Sequence, residues 1–178
     1  MRRHMFFAKF LLMPLFFFAF KTASAGVSMV QCFAETFTSG VAYFGLSVSQ
    51  AGDVNHDGYD DVIIGAYAHN SYTGRAYVYF GGSSMDNTAD IVLSGETTTS
   101  YFGRSVSGAG DVNADGYSDV MVGAYGYNSS TGRAYVYFGG SSMDNTADVV
   151  MTGEATSNSF GISVSRAGRS LVSGIDLN

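Results

Sequence analysis

A repeat of 58 residues constrains the fold more than any other feature of the sequence. Phe-Gly pairs begin at Phe44, Phe102 and Phe160, at a constant spacing of 58. Residues 44–101 align with residues 102–159 without a gap, and 42 of the 58 aligned positions are identical. Such similarity at a fixed period indicates duplicated structural units that pack against one another.

Each unit contains four strand patterns separated by turn residues. In the first unit, alternating or short apolar runs predict the strands 46–49, 61–66, 75–80 and 90–93. Glycine-containing turns at Gly58, Gly74, Gly82 and Gly95 divide them. The intervals are too short for the crossover helices that a parallel sheet needs. Each unit is therefore predicted to be one four-stranded antiparallel blade.

Repeated blades predict an all-β fold, a partial β-propeller. A β-solenoid usually has shorter repeats, and a two-sheet sandwich remains the alternative for eight or nine strands. Closed propellers use about four to eight blades, whereas two complete units and part of a third are present. Either several chains complete one ring as a homo-oligomer, or the sequence is a piece of a longer product.

The predicted organisation has five segments. They are a signal peptide (1–25), an N-terminal segment with an outer strand (26–43), repeat 1 (44–101), repeat 2 (102–159) and a truncated third repeat (160–178). The third copy follows the pattern through Gly168, and Arg169 then replaces the expected Asp. A truncation or frame change in the gene is one hypothesis for this departure.

The N-terminus has the pattern of a secretory signal. Arg2 and Arg3 precede an apolar stretch, and Ala23-Ser24-Ala25 predicts cleavage before Gly26. The apolar stretch is short for a spanning helix, which needs about 20 residues, although an uncleaved anchor is the alternative. We therefore expect a secreted, cell-surface or periplasmic protein without a transmembrane segment after cleavage.

Charge and composition exclude some functions. The net charge is −6, and no basic patch is available for nucleic acid. Six of the 15 acidic residues stand in two short loops, at the metal-ligand positions proposed next. The single cysteine, Cys32, cannot form an intrachain disulfide.

The first of these loops predicts a calcium site. Counting from Asp53, oxygen-bearing side chains stand at positions 1, 3, 5 and 9, and Gly58 at position 6 permits a sharp turn. Calcium takes six to eight oxygen ligands from a flexible loop. The predicted ligands are the side chains of Asp53, Asn55, Asp57 and Asp61 and the backbone carbonyl of Tyr59.

The second loop keeps the same ligands: Asp111, Asn113, Asp115, Asp119 and the carbonyl of Tyr117. The changes from His56 to Ala114 and from Asp60 to Ser118 fall at positions that supply no ligand. Because position 12 is apolar in both loops, these are not EF-hands. A metal-free Asp/Asn/Gly turn is the alternative. The ligand set predicts two weak Ca²⁺ sites, with dissociation constants of about 10⁻⁴–10⁻³ M.

These residues resemble FG-GAP repeats, the unit of the integrin α-chain N-terminal propeller. Phe44-Gly45 followed by Gly65-Ala66-Tyr67 resembles the motif that names the family, with Tyr67 in place of its proline. The resemblance covers residues 44–168 and extends to the outer-strand segment 30–43. The family's calcium loop lies between the first two strands of a blade, which implies the same for the loops above.

The resemblance implies a non-catalytic, calcium-binding extracellular module for adhesion or for recognition of a protein or glycan. Segments 67–74 and 125–132 carry tyrosines that either contact such a partner or pack between blades. The alternatives are an accessory fragment of a secreted hydrolase or lyase, and a truncated remnant of a longer adhesin. No pairing of nucleophile and base supports catalysis, since only His56 and His69 follow the predicted signal peptide.

Overall fold

The computed structural model describes residues 42–166, which belong to one compact unit. Two four-stranded antiparallel sheets follow each other along the chain. Blade 1 consists of β1 (Phe44–Gly52), β2 (Asp61–Ala66), β3 (Arg75–Tyr79) and β4 (Ile91–Ser94). Blade 2 consists of β5 (Ser105–Gly110), β6 (Asp119–Ala124), β7 (Arg133–Tyr137) and β8 (Val149–Thr152). The prediction of four-stranded antiparallel blades in an all-β fold is confirmed.

The predicted signal peptide, Cys32 and Arg169 all lie outside the described residues. So do most of the N-terminal segment and the end of the third repeat, beyond residue 166. No helix in the part of the chain that is described has both the length and the apolar character to cross a membrane.

The first strand is longer than the sequence pattern predicts. Instead of residues 46–49, β1 covers Phe44–Gly52, and its pairing with β2 shifts register between Phe44 and Ser47 and again between Gln50 and Gly52. Such irregularities hide the alternation on which a strand prediction depends. Gly52 has a φ of 83°, a left-handed conformation that ends the strand and directs the chain into the next loop.

A short turn follows the second strand of each blade. The turns α1 (His69–Tyr72) and α2 (Tyr127–Ser130) have only four residues each. Asn70 and Ser71 lie in the left-handed region at φ values of 47° and 55°. These turns are therefore not regular helices, in agreement with the lack of a helical period in the sequence.

The main core lies between the two blades. Blade 1 and the loop after β1 contribute Val54, Ile63, Val78 and Leu93, and the second repeat contributes Phe102, Val120, Val122 and Tyr135. The aliphatic side chains and Phe102 in this set are fully buried. One face of blade 1 thus packs against the opposite face of blade 2, as expected for repeated blades.

Glycines allow the blades to approach at backbone contact. A Cβ atom on Gly65 in β2 would collide with the backbone carbonyl of Gly103, the glycine of the next Phe-Gly pair. Gly123 has the same relation to Gly161. The Phe-Gly and Gly-Ala sequences therefore meet where consecutive units contact each other.

Polar contacts also join the units. Arg133 in β7 forms an ion pair with Glu96 in the segment between the blades, with an Nη1–Oε2 distance of 2.8 Å. The Arg133 guanidinium also lies 3.7 Å above the centre of the Tyr127 ring. Because both charged side chains are partly exposed, the ion pair adds at most about 1 kcal/mol.

The two blades differ in what covers their corresponding faces. Phe102 and Leu93 are 0% exposed beneath blade 2. Their equivalents one repeat later, Phe160 and Met151, are 40% and 38% exposed. The face of blade 2 that corresponds to the covered face of blade 1 is therefore open.

Candidate metal loops and a row of tyrosines

The two candidate calcium loops occupy equivalent places in the two blades. Loop 1 (residues 53–60) connects β1 to β2, and loop 2 (residues 111–118) connects β5 to β6. Each therefore lies between the first two strands of its blade, where the sequence resemblance placed it.

Backbone amides draw the first ligand candidates of loop 1 together. Asp53 Oδ1 and Asn55 Oδ1 both accept a hydrogen bond from the Asp57 N–H, at 2.9 and 3.0 Å. Asp53 Oδ2 accepts from the Gly58 N–H at 2.9 Å. These bonds curl the chain so that side-chain oxygens from positions 1 and 3 lie on the same side of the loop.

Asp57 completes this arrangement. Its Oδ1 accepts a hydrogen bond from the Tyr59 N–H at 3.0 Å, and its Oδ2 accepts one from Asn55 Nδ2 at 3.0 Å. Gly58 has a φ of 91°, and a Cβ there would meet no atom within 4 Å. Backbone conformation, rather than lack of space, therefore favours glycine at position 6.

Loop 2 repeats every one of these contacts. The Asp115 N–H donates to Asp111 Oδ1 and Asn113 Oδ1, both at 3.1 Å, and the Gly116 N–H donates to Asp111 Oδ2 at 3.0 Å. The remaining bonds, from Tyr117 and Asn113 to Asp115, are also present. The shared ligand pattern in the sequence thus corresponds to a shared conformation.

Asp61 occupies a different environment from the other candidates. It is fully buried, and its two carboxylate oxygens accept hydrogen bonds from the Val54 and Gly81 amides, both at 2.7 Å. Burial raises the pKa of Asp61 to about 6, the two amides oppose the rise, and the charges of Asp57 and Asp53 add to it. Asp61 therefore ties loop 1 to the end of β3.

Asp119 holds loop 2 in the same way. It is fully buried and accepts hydrogen bonds from Val112 at 2.7 Å and Gly139 at 2.8 Å. Burial raises its pKa, those two amides oppose the rise, and the charges of Asp115 and Asp111 add to it. Each blade thus has one buried carboxylate below two more exposed ones.

The structure gathers part of each predicted ligand set. Asp53, Asn55 and Asp57 are linked by direct and shared hydrogen bonds, and Asp61 engages backbone amides beneath them. Within residues 42–166, no three His, Cys, Asp or Glu side chains are grouped closely enough to hold a metal ion. The Tyr59 side chain is 49% exposed, and only its carbonyl was a predicted ligand. The full ligand sets remain predictions.

The chemistry of the loops nevertheless suits a hard cation. The predicted ligands are all oxygen atoms, the kind that Ca²⁺ takes. The ion pair between Arg133 and Glu96 lies outside both loops. The three predicted ligand carboxylates of each site carry negative charge that a divalent ion would offset.

The sequence did not indicate the backbone conformation at position 4. His56 and Ala114 have φ values of 60° and 61°, a region that costs ordinary residues roughly 1–2 kcal/mol. Histidine is enriched at positive φ only relative to other residues that rarely adopt it, and alanine gives no such signal, so the shared conformation was not evident from the two residue types. Glycine or asparagine there would have been the recognisable signal.

Loop 1 also touches loop 2 directly. The Asp53 carbonyl accepts a hydrogen bond from the Ser118 N–H at 3.0 Å. His56 Nδ1 donates to the Gly116 carbonyl at 3.0 Å, and its ring lies edge-on to the Tyr117 ring with centroids 5.5 Å apart. His56 is exposed, as predicted for a residue that supplies no ligand, but it is also a contact between blades.

Three of the tyrosines in segments 67–74 and 125–132, the candidates for partner binding, contact other tyrosines, including two from outside those segments. We call these five tyrosines the tyrosine row: Tyr43, Tyr67, Tyr72, Tyr101 and Tyr125. Stacked pairs form between Tyr43 and Tyr67, with centroids 5.1 Å apart, and one repeat later between Tyr101 and Tyr125, at 4.9 Å. Tyr67 and Tyr101, 6.0 Å apart, join the two pairs. The rings thus pack against one another, and Tyr43 and Tyr72 also present 48% and 42% of their surface to solvent.

The comparison with protein families agrees with this architecture. The model of the FG-GAP repeat matches residues 44–79 and 102–137, which cover the first three strands of each blade and both loops. The chain contains two FG-GAP repeats. The Phe-Gly pair of the second FG-GAP repeat, at Gly103, lies against Gly65 in the Gly-Ala segment of the first. No curated protein matches the chain significantly.

Proposed function

We propose that this chain is a non-catalytic, calcium-stabilised recognition module. Loops 1 and 2 each bind one Ca²⁺, with Asp53, Asn55, Asp57 and Asp61, or their equivalents one repeat later, as side-chain ligands and the position 7 carbonyl as a further ligand. The ion offsets the charge of three carboxylates and holds the first hairpin of the blade. Its role is structural.

One observation carries this proposal. Two loops of identical hydrogen-bond pattern place oxygen-bearing side chains at the same point of consecutive blades. A purely structural turn would not need three carboxylates, since mutual repulsion destabilises it. A bound cation removes that cost.

Calorimetric titration of the chain with Ca²⁺ tests the proposal. We expect two sites with dissociation constants of about 10⁻⁴–10⁻³ M. Asp57→Ala removes one site and Asp115→Ala removes the other. Asp86→Ala is the matched control, because Asp86 Oδ1 also accepts a turn hydrogen bond, from the Thr88 N–H, but outside the loops. Heat of binding that survives in the Asp57→Ala, Asp115→Ala double variant would contradict the proposal.

The expected place of action is outside the cytoplasm, where calcium at millimolar concentration suits sites of this affinity. The sequence pattern around Ala23-Ser24-Ala25 supports export. Expression of the full chain in a secreting host, followed by N-terminal sequencing of the exported product, is expected to give a chain that begins at Gly26. Retention of an intact N-terminus in the cytoplasmic fraction is the contrary outcome.

We propose further that another blade covers the open face of blade 2, supplied by a second copy of the chain. Phe160 and Met151 are exposed there, whereas blade 2 buries their equivalents. Glu154, the equivalent of Glu96 one repeat later, is also exposed, whereas Glu96 forms an ion pair with Arg133.

Sedimentation of the chain in calcium tests this partner. It is expected to give a discrete oligomer, and Phe160→Asp is expected to dissociate it. A monomer at high concentration contradicts this partner.

A further inference from the structure

The two metal loops contact each other across the boundary between the blades. Position 1 of loop 1 reaches position 8 of loop 2, because the Asp53 carbonyl accepts from the Ser118 N–H at 3.0 Å. Position 4 of loop 1 reaches positions 6 and 7 of loop 2 through His56. A Cβ on Gly52 would collide with the Ser118 side chain, so the two segments lie close together.

These contacts fall on residues that shape both sites. Asp53, whose carbonyl bonds to loop 2, holds loop 1 closed through its carboxylate, which accepts the Asp57 and Gly58 amides. On the other side, Gly116 receives the hydrogen bond from His56 at its carbonyl and donates its own N–H to Asp111 Oδ2. The contact therefore involves the first predicted ligand of loop 1 itself and a residue that is hydrogen-bonded to the first predicted ligand of loop 2.

We propose that His56 couples the two loops, so that calcium in loop 1 raises the calcium affinity of loop 2, and the reverse. The inference rests on the calcium binding proposed above. An ion in loop 1 fixes the curled backbone that carries His56. The His56 ring then restrains Gly116 and Tyr117. Because these residues are already restrained, loop 2 loses less conformational entropy when it binds its own ion. Thermodynamic linkage makes the effect equal in both directions.

The within-chain comparison supports a specific role for His56. Loop 2 has the same ligands and the same left-handed backbone at position 4, but Ala114 replaces the histidine. The ligand positions and the conformation therefore do not require histidine. What His56 adds is the hydrogen bond to Gly116 and the edge contact with Tyr117, both of which act on the neighbouring loop.

The test measures calcium binding by calorimetry in the full chain. Asp115→Ala reports loop 1 alone, and Asp57→Ala reports loop 2 alone. In the unaltered chain, we expect the product of the two association constants to exceed the product of the isolated values about fivefold. In His56→Ala this excess is expected to fall to about one, whereas His56→Gln, which retains a hydrogen-bond donor, keeps part of it.

Ala114→His is the matched control, since it places the same side chain at the equivalent position of loop 2, beyond the contact between the loops. We expect it to leave the coupling unchanged. Hydrogen exchange gives an independent readout: in Asp115→Ala, calcium is expected to slow exchange of the Gly116 amide about fivefold, and His56→Ala removes this protection.

The outcomes separate the two proposals. If both loops bind calcium but the product of constants equals that of the isolated sites, and the Gly116 amide does not respond, the coupling is refuted and the metal sites stand. If neither loop binds calcium, the proposed function fails and the coupling with it. If the coupling persists in His56→Ala, the assignment to His56 is refuted. The backbone hydrogen bond between Asp53 and Ser118 would then be the contact that couples the loops.

Discussion

At the scale of single residues, the loops combine stabilising hydrogen bonds with two unfavourable features. Buried Asp61 satisfies two amides but must hold its charge away from water. Ala114 adopts a left-handed backbone that alanine disfavours. Each feature predicts a measurable response in the calcium-free protein.

The raised pKa of Asp61 predicts that calcium-free protein is more stable at pH 5 than at pH 7. The folded pKa is about 6, and the unfolded value is about 3.9. Between these values the folded chain binds more protons than the unfolded chain, so the free energy of unfolding falls as pH rises. The fall from this group is on the order of 3 kcal/mol over the whole titration, and about 1 kcal/mol of it lies between pH 5 and pH 7. Urea unfolding in chelator measures the change.

Asp61→Asn is the control for this pH dependence, because it removes the titrating group. The difference in unfolding free energy between pH 5 and pH 7 should shrink in this variant. An equal difference in both proteins would show that Asp61 is not its source. Saturating calcium should reverse the trend, since the ion favours the ionised carboxylate.

Ala114→Gly is expected to stabilise the chain despite the added flexibility of glycine. Relief of the left-handed strain gives roughly 1–2 kcal/mol, and the greater entropy of the unfolded chain removes about 0.4–1 kcal/mol. The expected net gain is about 0.5–1 kcal/mol in denaturant unfolding. Ala155→Gly, at an exposed position with an ordinary φ, should instead lose stability. A loss in both variants contradicts the strain argument.

At the scale of elements, the contacts between consecutive blades depend on backbone proximity and on ring stacking. The strands themselves were predictable because β2, β3 and β4 are short apolar or alternating runs between turn glycines. The early start of β1 was not, since register shifts within it break the alternation. Nor could the sequence show which tyrosines stack, because such contacts join residues of different repeats.

Gly65→Ala tests the backbone approach between blades. Its new Cβ would collide with the Gly103 carbonyl, and we expect a loss of about 3 kcal/mol, at the upper end for overpacking. Gly58→Ala is the comparison, because space is open there and only the φ of 91° is unfavourable. It should cost about 1–2 kcal/mol. Equal losses of unfolding free energy in the two variants would contradict this, because they would mean that the contact between the blades accommodates the added methyl group without an extra penalty.

Tyr101→Ser tests the tyrosine row by introducing the residue that the next repeat has at Ser159. The stack on Tyr125, at 4.9 Å, and the contacts with Tyr67 and Tyr72 are lost. We expect a loss of about 2–3 kcal/mol, from the pair interactions and the apolar burial. Tyr101→Phe keeps the ring and should lose less than 1 kcal/mol. A neutral Tyr101→Ser would instead favour a binding role for the row.

At the scale of the whole molecule, the repeat was the most informative part of the sequence. The period predicted the blades, and the loop spacing predicted where the candidate ligands lie. The contacts of His56 with Gly116 and Tyr117 in the second loop were not predictable, because they depend on how one blade packs against the next. Single-sequence patterns describe one unit at a time, whereas these features arise between units.

The most direct test of the central claim is the melting temperature of the chain, without its predicted signal peptide, in calcium and in chelator. At about 1 mM Ca²⁺, a site with a dissociation constant of about 10⁻⁴ M contributes roughly 1.4 kcal/mol, so two sites should raise the melting temperature by several degrees. The Asp57→Ala, Asp115→Ala variant should melt at the same temperature in both conditions. A melting temperature of the unaltered chain that does not change with calcium would contradict the account.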